Sequence, residues 1–410
     1  MKRFILITMA ALLAGSAAFA QETPAKFKLY GFIRNYAVVD TREVNAGTED
    51  LYFYMPKGTD IKGGSDLNEG LNWRFVSLTT RLGLDVSGYK WNSMGLSGKV
   101  EADFYNLSGS VPVLRLRQAF MKLAWDDSPL SLTLGQAWHP MAADMPHMNN
   151  LETGAPFNPF NRSPQVTVDV KLGSRFTFTA SALYLNHYLP VGPDGKSKNY
   201  YKYGFPEAYV GLGYKDNYLV AKAGVDIVNM RPYRVYNNAK AKGLLTTFSP
   251  FVYAQLTAGK FQMRAKSILA QGGEHMNLLS GYGVSSYNSQ TNTFRYTPMQ
   301  DWASFLSFQY GKKFQVMAML GYFFLIGTTE DLYDVNSMFW VNNSADVHIQ
   351  QALRATPTVA WNIGKFTVSL EYNLTAAEFG RGSRDLRGIY NGGSEWILNH
   401  RFICMTKFNF

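Results

Sequence analysis

The 410 residues carry 40 Lys+Arg against 30 Asp+Glu, a formal net charge of +10, with 17% charged and 15% aromatic residues. A soluble chain usually has about 25% charged residues, so the two or three soluble domains that length alone suggests are disfavoured. The single cysteine, Cys404, excludes an intrachain disulfide framework and any multi-cysteine metal site, and 46% hydrophobic residues exclude a disordered chain.

The chain opens with Lys2-Arg3, an apolar run from Phe4 to Ala14, and Ala18-Phe19-Ala20 before Gln21. A positive start, a short apolar centre and a small-residue end predict a secretory signal peptide over 1–20, too short in its apolar part for a membrane anchor. Its removal leaves 390 of 410 residues as one predicted domain, 21–410, with 38 basic and 30 acidic residues and a charge of +8. No later apolar run approaches the roughly 18–20 residues of a spanning helix. Basic residues are scattered singly, which does not match a nucleic-acid footprint.

From Lys26 onward, apolar and polar residues alternate, the pattern of strands with two unlike faces. Phe27, Leu29, Ile33, Ala37 and Val39 take one parity, and Lys28, Tyr30, Arg34, Tyr36 and Asp40 the other. The pattern predicts sixteen strands, near 26–40, 72–86, 96–105, 113–125, 130–138, 165–171, 175–185, 207–215, 218–227, 247–257, 261–271, 300–310, 314–324, 348–361, 365–374 and 395–410. Short turns alternate with long loops, and both termini fall on the short-turn side. Pro357 interrupts the fourteenth strand, and the parity slips at Arg117-Gln118, which reads as a bulge.

A soluble sandwich would bury the apolar face against a second sheet. A membrane barrel turns it to lipid and keeps a polar interior. Strands of about ten residues match a tilted crossing, the loop asymmetry is that of outer-membrane barrels, and Tyr89-Trp91, Trp125 and Trp361 fit interfacial girdles. The predicted fold is all-β, a 16-stranded antiparallel transmembrane β-barrel. Sixteen strands enclose a channel that side chains do not fill.

The last strand places Phe402, Cys404, Thr406, Phe408 and terminal Phe410 on one parity. This resembles the C-terminal aromatic signature of bacterial outer-membrane proteins, which implies recognition of Phe410 by the barrel-assembly machinery. Segments such as Arg81-Leu82-Gly83-Leu84, Leu116-Arg117-Gln118-Ala119-Phe120 and Leu132-Thr133-Leu134-Gly135-Gln136 resemble the wall of sixteen-stranded bacterial porins. Gly135-Gln136-Ala137-Trp138 and Asn161-Arg162-Ser163-Pro164-Gln165-Val166 are most similar to the DcaP-like branch. The resemblance implies a homotrimer in the outer membrane of a Gram-negative bacterium, passing small organic anions. It also implies that the third long loop, the Pro-rich segment 139–164, folds inward as a constriction.

Arg34, Arg81, Arg115, Arg117 and Arg401 have inward parity and form a predicted basic wall, with Asp144 and Glu152 of the loop opposite. Such a field would favour anions. The rival reading pairs each arginine with a neighbouring lumen acid, Asp85, Glu101 or Asp103. Lys222, Arg264 and Lys266 share the inward parity. His139 and His147 stand eight apart without a Cys, so no metal site is expected there. Arg381, Arg384 and Arg387 in the last loop are candidate contacts for lipopolysaccharide.

The reading is therefore a porin for passive diffusion of small hydrophilic solutes with a mild anion preference, no catalytic residues, and no cofactor. A substrate-specific carboxylate or phosphate channel is the first alternative, and a barrel enzyme or adhesin the second. A plugged energy-coupled receptor is not expected, because no soluble domain precedes the first strand.

Overall fold

The structure, a computed structural model, describes residues 25–47, 50–106, 112–151, 153–340 and 349–410. The predicted signal segment 1–20 and Glu152 lie outside the described residues. Sixteen antiparallel staves follow one another: β1 (Lys26–Arg42), β2 (Glu69–Val76 and Arg81–Trp91), β3 (Met94–Tyr105), β4 (Val113–Trp125), β5 (Leu130–Trp138), β6 (Arg162–Leu172), β7 (Phe176–Leu183) and β8 (Glu207–Lys215). The second half comprises β9 (Leu219–Met230), β10 (Leu245–Ala258), β11 (Phe261–Gln271), β12 (Thr293–Gly311), β13 (Phe314–Thr328), β14 (Ile349–Ala355 and Thr358–Ile363), β15 (Phe366–Gly380) and β16 (Ser394–Asn409).

β1 pairs with β16 on one side, Ala37 opposite Cys404, and with both halves of β2 on the other, Val39 opposite Trp73 and Leu29 opposite Leu84. The sheet thereby closes on itself. Closure leaves the sheet without an open edge at the seam, the condition for crossing lipid with strands. The backbone of Phe410 bonds Gly31 in both directions, at 3.3 and 3.1 Å, so the terminal aromatic is seated beside the seam. A Cβ on Gly31 would sit 2.4 Å from the Arg81 carbonyl and 2.6 Å from the Phe410 ring, so only glycine fits.

The two parities separate as alternation requires. Phe27, Leu29, Trp73 and Leu370 are exposed on the outside, while Arg34, Tyr36 and Asp40 are buried within. An apolar exterior on this scale is unfavourable in water, at roughly 25 cal/mol for each Å² left exposed, and suits lipid. Tyr218, Tyr310, Phe314 and Trp361 are exposed at the short-turn ends, a girdle of amphipathic rings.

Departures from expectation have local causes. β2 breaks between Val76 and Arg81, where Thr79 takes φ +73° and its hydroxyl receives two hydrogen bonds from the Arg34 guanidinium. β14 breaks at Thr356-Pro357, because proline supplies no N–H to the ladder. β12 begins at Thr293 rather than 300, because its first turn pairs with an extra strand, Tyr282–Asn288, in the preceding loop. The bulge lies at Arg117: Glu101 faces Gln118 while the next residue, Ala102, faces Leu116.

The lumen is far from empty. A buried cluster that includes Tyr54, Met55, Met141, Met148, Phe157, Met319 and Phe323 packs loop residues against the inner wall.

Candidate pore lining

The segment between β5 and β6 spans 139–161, since Arg162–Pro164 already belong to the ladder of β6, with Pro164 tolerated near the strand start. Its anchors are inner-wall side chains from all round the ring. Tyr36 of β1 donates to the Asn149 carbonyl at 2.9 Å. The Asn149 side chain donates to Ser369 of β15 at 2.6 Å, and the N–H groups of Asn149 and Asn150 both point to the Glu371 carboxylate. Arg264 and Lys266 of β11 donate to the Met145 and Met141 carbonyls, both at 2.8 Å. Arg354 of β14 donates to the Ala155 carbonyl at 2.7 Å. A chain tied to β1, β11, β14 and β15 by their inner faces runs across the lumen.

Beside this segment lies a cavity of about 750 Å³, lined on one wall by Arg34, Arg81, Arg115 and Arg117. Tyr52, Phe160 and Tyr188 face it from the loops: Tyr52 stacks on Tyr188 with ring centroids 6.1 Å apart and packs on Phe160 at 5.3 Å. The geometry sets an arginine ladder against aromatic rings, a surface complementary to planar anions.

The ladder is ordered by acids. Arg115 grips Asp103 with two bonds of 3.0 Å. Arg117 bridges Glu101 and Asp103, at 2.7 Å each, and Arg81 lies 3.9 Å from Glu101. The pairing weighed against a basic wall is thus present, and the arginines still line the cavity. Arg162, on β6, stands behind this wall and does not itself line the cavity. It is fully buried, its three guanidinium nitrogens have no hydrogen-bond partner among the described residues, and it sits 4.9 Å from the Trp138 ring and 5.1 Å from Phe160. The sequence pattern leaves Arg162 inside the predicted loop 139–164, ahead of the strand at 165–171, and so gives it no inward parity. The lining arginines Arg34, Arg81, Arg115 and Arg117, with Arg162 behind them, stand against Glu101 and Asp103 and leave this wall and its backing at +3.

Two expected members lie elsewhere. Arg401 is buried under the Tyr54 ring and held by both oxygens of Asp40, at 2.7 and 2.8 Å, because the first long loop folds inward over it. Asp144 does not face the arginines: Lys222 of β9 takes it at 2.7 Å. His147 and His187 both line the cavity. Burial, reinforced by Arg264, lowers the His147 imidazole to about 4. Burial, reinforced by Arg162, Arg115 and Arg117, lowers His187 to about 4 as well. Cys404 faces outward and is exposed.

No family model and no curated protein matches the chain. Among solved structures it is similar to the outer membrane channel DcaP of Acinetobacter baumannii, with a TM-score of 0.65 at 17% identity over 96% of this chain and 100% of that one. It is also similar to an anion-selective porin from Comamonas acidovorans, with a TM-score of 0.55 at 9% identity over 94% and 100%. Salmonella typhi OmpF in complex with daunomycin follows, with a TM-score of 0.51 at 13% identity over 95% and 100%. At these identities the likeness is one of fold: the chain folds as outer-membrane channels do.

Proposed function

We propose that this chain is a porin of the Gram-negative outer membrane, passing small hydrophilic solutes by passive diffusion and favouring anions. The observation that carries the reading is the row of Arg34, Arg81, Arg115 and Arg117 on a lumen cavity, backed by Arg162, inside a barrel with an apolar exterior. Fixed positive charge at a narrow point raises the local concentration of anions and lowers that of cations. The third long loop serves as the constriction, and Arg34, Arg81, Arg115 and Arg117 act in it together with Arg162. Arg401 and Asp144 support the wall rather than the eyelet. We also assign the chain to homotrimers, to contact with lipopolysaccharide, and to assembly through Phe410.

A channel specific for organic anions is the second reading, favoured by Tyr52, Phe160 and Tyr188 facing the arginines. Liposome swelling tests both. The porin reading expects influx graded by solute size, faster for monocarboxylates than for neutral solutes of equal size. Influx restricted to aromatic carboxylates would select the second reading, and no influx of any solute would overturn both.

A further inference from the structure

Two histidines from the loops meet two carboxylates from the wall where the constriction segment leaves β5. His139 Nε2 lies 2.9 Å from Glu207 Oε1 of β8 and 3.5 Å from Asp226 Oδ1 of β9. His275, in the loop after β11, places Nε2 2.9 Å from Asp226 Oδ2 and 3.8 Å from Glu207 Oε1. All four side chains are at most 2% exposed. His139 Nε2, both Glu207 oxygens and Asp226 Oδ1 are buried without a hydrogen-bond partner among the described residues. Four convergent unsatisfied polar atoms are costly unless something joins them.

The ring nitrogens can be told apart by their other partners. His275 Nδ1 faces the Gly272 carbonyl at 3.3 Å and Nε2 faces Asp226 Oδ2 at 2.9 Å; both partners only accept, so a neutral ring with one proton leaves one of its nitrogens facing an acceptor lone pair to lone pair. With the proton on Nδ1, bonded to Gly272, Nε2 presents a lone pair to Asp226 and Glu207. Lone pairs at such a separation repel unless a proton or a metal ion lies between them. His139 differs: its Nδ1 accepts the Met141 N–H at 3.1 Å, so its proton sits on Nε2, facing Glu207. Among the described residues, Glu207 and Asp226 form ion pairs with these two histidines and with no other cation. Two buried carboxylates carry −2, which one divalent cation balances.

We propose that Glu207, Asp226 and His275 form a binding site for a divalent transition-metal ion, Zn²⁺ by its mixed nitrogen and oxygen donors, with His139 as a positioning residue. Imidazole and carboxylate donors suit zinc. The His275–Gly272 contact is the outer hydrogen bond that metal-bound histidines make, and the His139 ring sets the place of Glu207 by lying 2.9 Å from its Oε1. The ion clamps the loop after β11 to β8 and β9, and through His139 it fixes the start of the constriction segment.

The test uses untagged full-length protein, stripped with a chelator in detergent, equilibrated with Zn²⁺ and assayed for metal content. Barrel closure is monitored in every variant by heat-modifiable electrophoretic mobility. The folded protein should take up about one zinc per chain, with Mg²⁺ and Ca²⁺ not competing. His275→Ala and Asp226→Asn should reduce uptake to background. His139→Ala should weaken affinity roughly 10–100-fold without abolishing binding. His400→Ala, whose imidazole bonds Tyr372, is the control and should bind normally. A folded wild-type barrel that takes up no zinc overturns the proposal, as does a folded His275→Ala variant that binds like wild type. Nitrogen NMR showing His275 doubly protonated in the presence of Zn²⁺ overturns it too, since a proton then fills the role.

Discussion

Replacing Arg81 and Arg115 together by glutamine tests the arginine wall without dismantling it. Both are partly exposed, whereas Arg117 bridges Glu101 and Asp103 and is left in place so that neither buried acid loses its partner. A cavity of about 750 Å³ corresponds to a sphere of about 6 Å radius, so a wall charge acts on a central solute across about 6 Å in water for about 0.7 kcal/mol. Screening with a Debye length of about 10 Å at 0.1 M reduces this to about 0.4 kcal/mol, a factor of about two in anion concentration per net charge. The wall at +3 therefore enriches anions roughly eightfold, and the double variant at +1 roughly twofold. The assay is the reversal potential across a planar bilayer under a salt gradient. It should move most of the way toward zero in the double variant and stay near wild type in Arg115→Lys. An unchanged reversal potential in the double variant would refute the wall as the source of selectivity.

Other consequences are equally specific. Asp40→Asn strands the buried Arg401, at about 3–5 kcal/mol for an unpaired buried charge, and should lower the temperature at which the barrel opens on electrophoresis; an unaltered midpoint would contradict that. His147 and His187 are held near 4, so both are neutral at pH 7. Between their ordinary 6.5 and about 4 the unfolded chain binds more of these protons, so their contribution to stability is complete above pH 6.5 and declines as pH falls to 4. Anion preference should rise only as pH approaches 4, and a rise centred near 6.5 would place these histidines in water. Cys404 is exposed on the outer face, so in bilayers it should react with a lipophilic maleimide and not with a charged one.

The barrel was legible because alternation is enforced twice, by lipid outside and by water and loops inside. Four predicted strands, 113–125, 130–138, 207–215 and 261–271, coincide with β4, β5, β8 and β11. The failures fall where another interaction overrides the pattern. Thr79 leaves the ladder for Arg34, Pro357 lacks a donor, and β12 gains length from a partner outside the wall. The lining was only half legible. Parity found Arg34, Arg81, Arg115 and Arg117. It left Arg162 inside the predicted loop 139–164 and gave no sign that Tyr52 or Tyr54 would enter the lumen, because loop residues have no period. The His139–Glu207–Asp226–His275 cluster draws on four separate elements, and spacing in sequence carries no trace of it.

Current through single molecules in a planar bilayer tests the central claim most directly, that a closed cylinder with an apolar outside holds a water-filled, positively lined path. The protein should insert from detergent and give discrete ohmic steps, in groups of three, with a reversal potential on the anion side. Stable insertion of folded barrels with no conductance at all would contradict it.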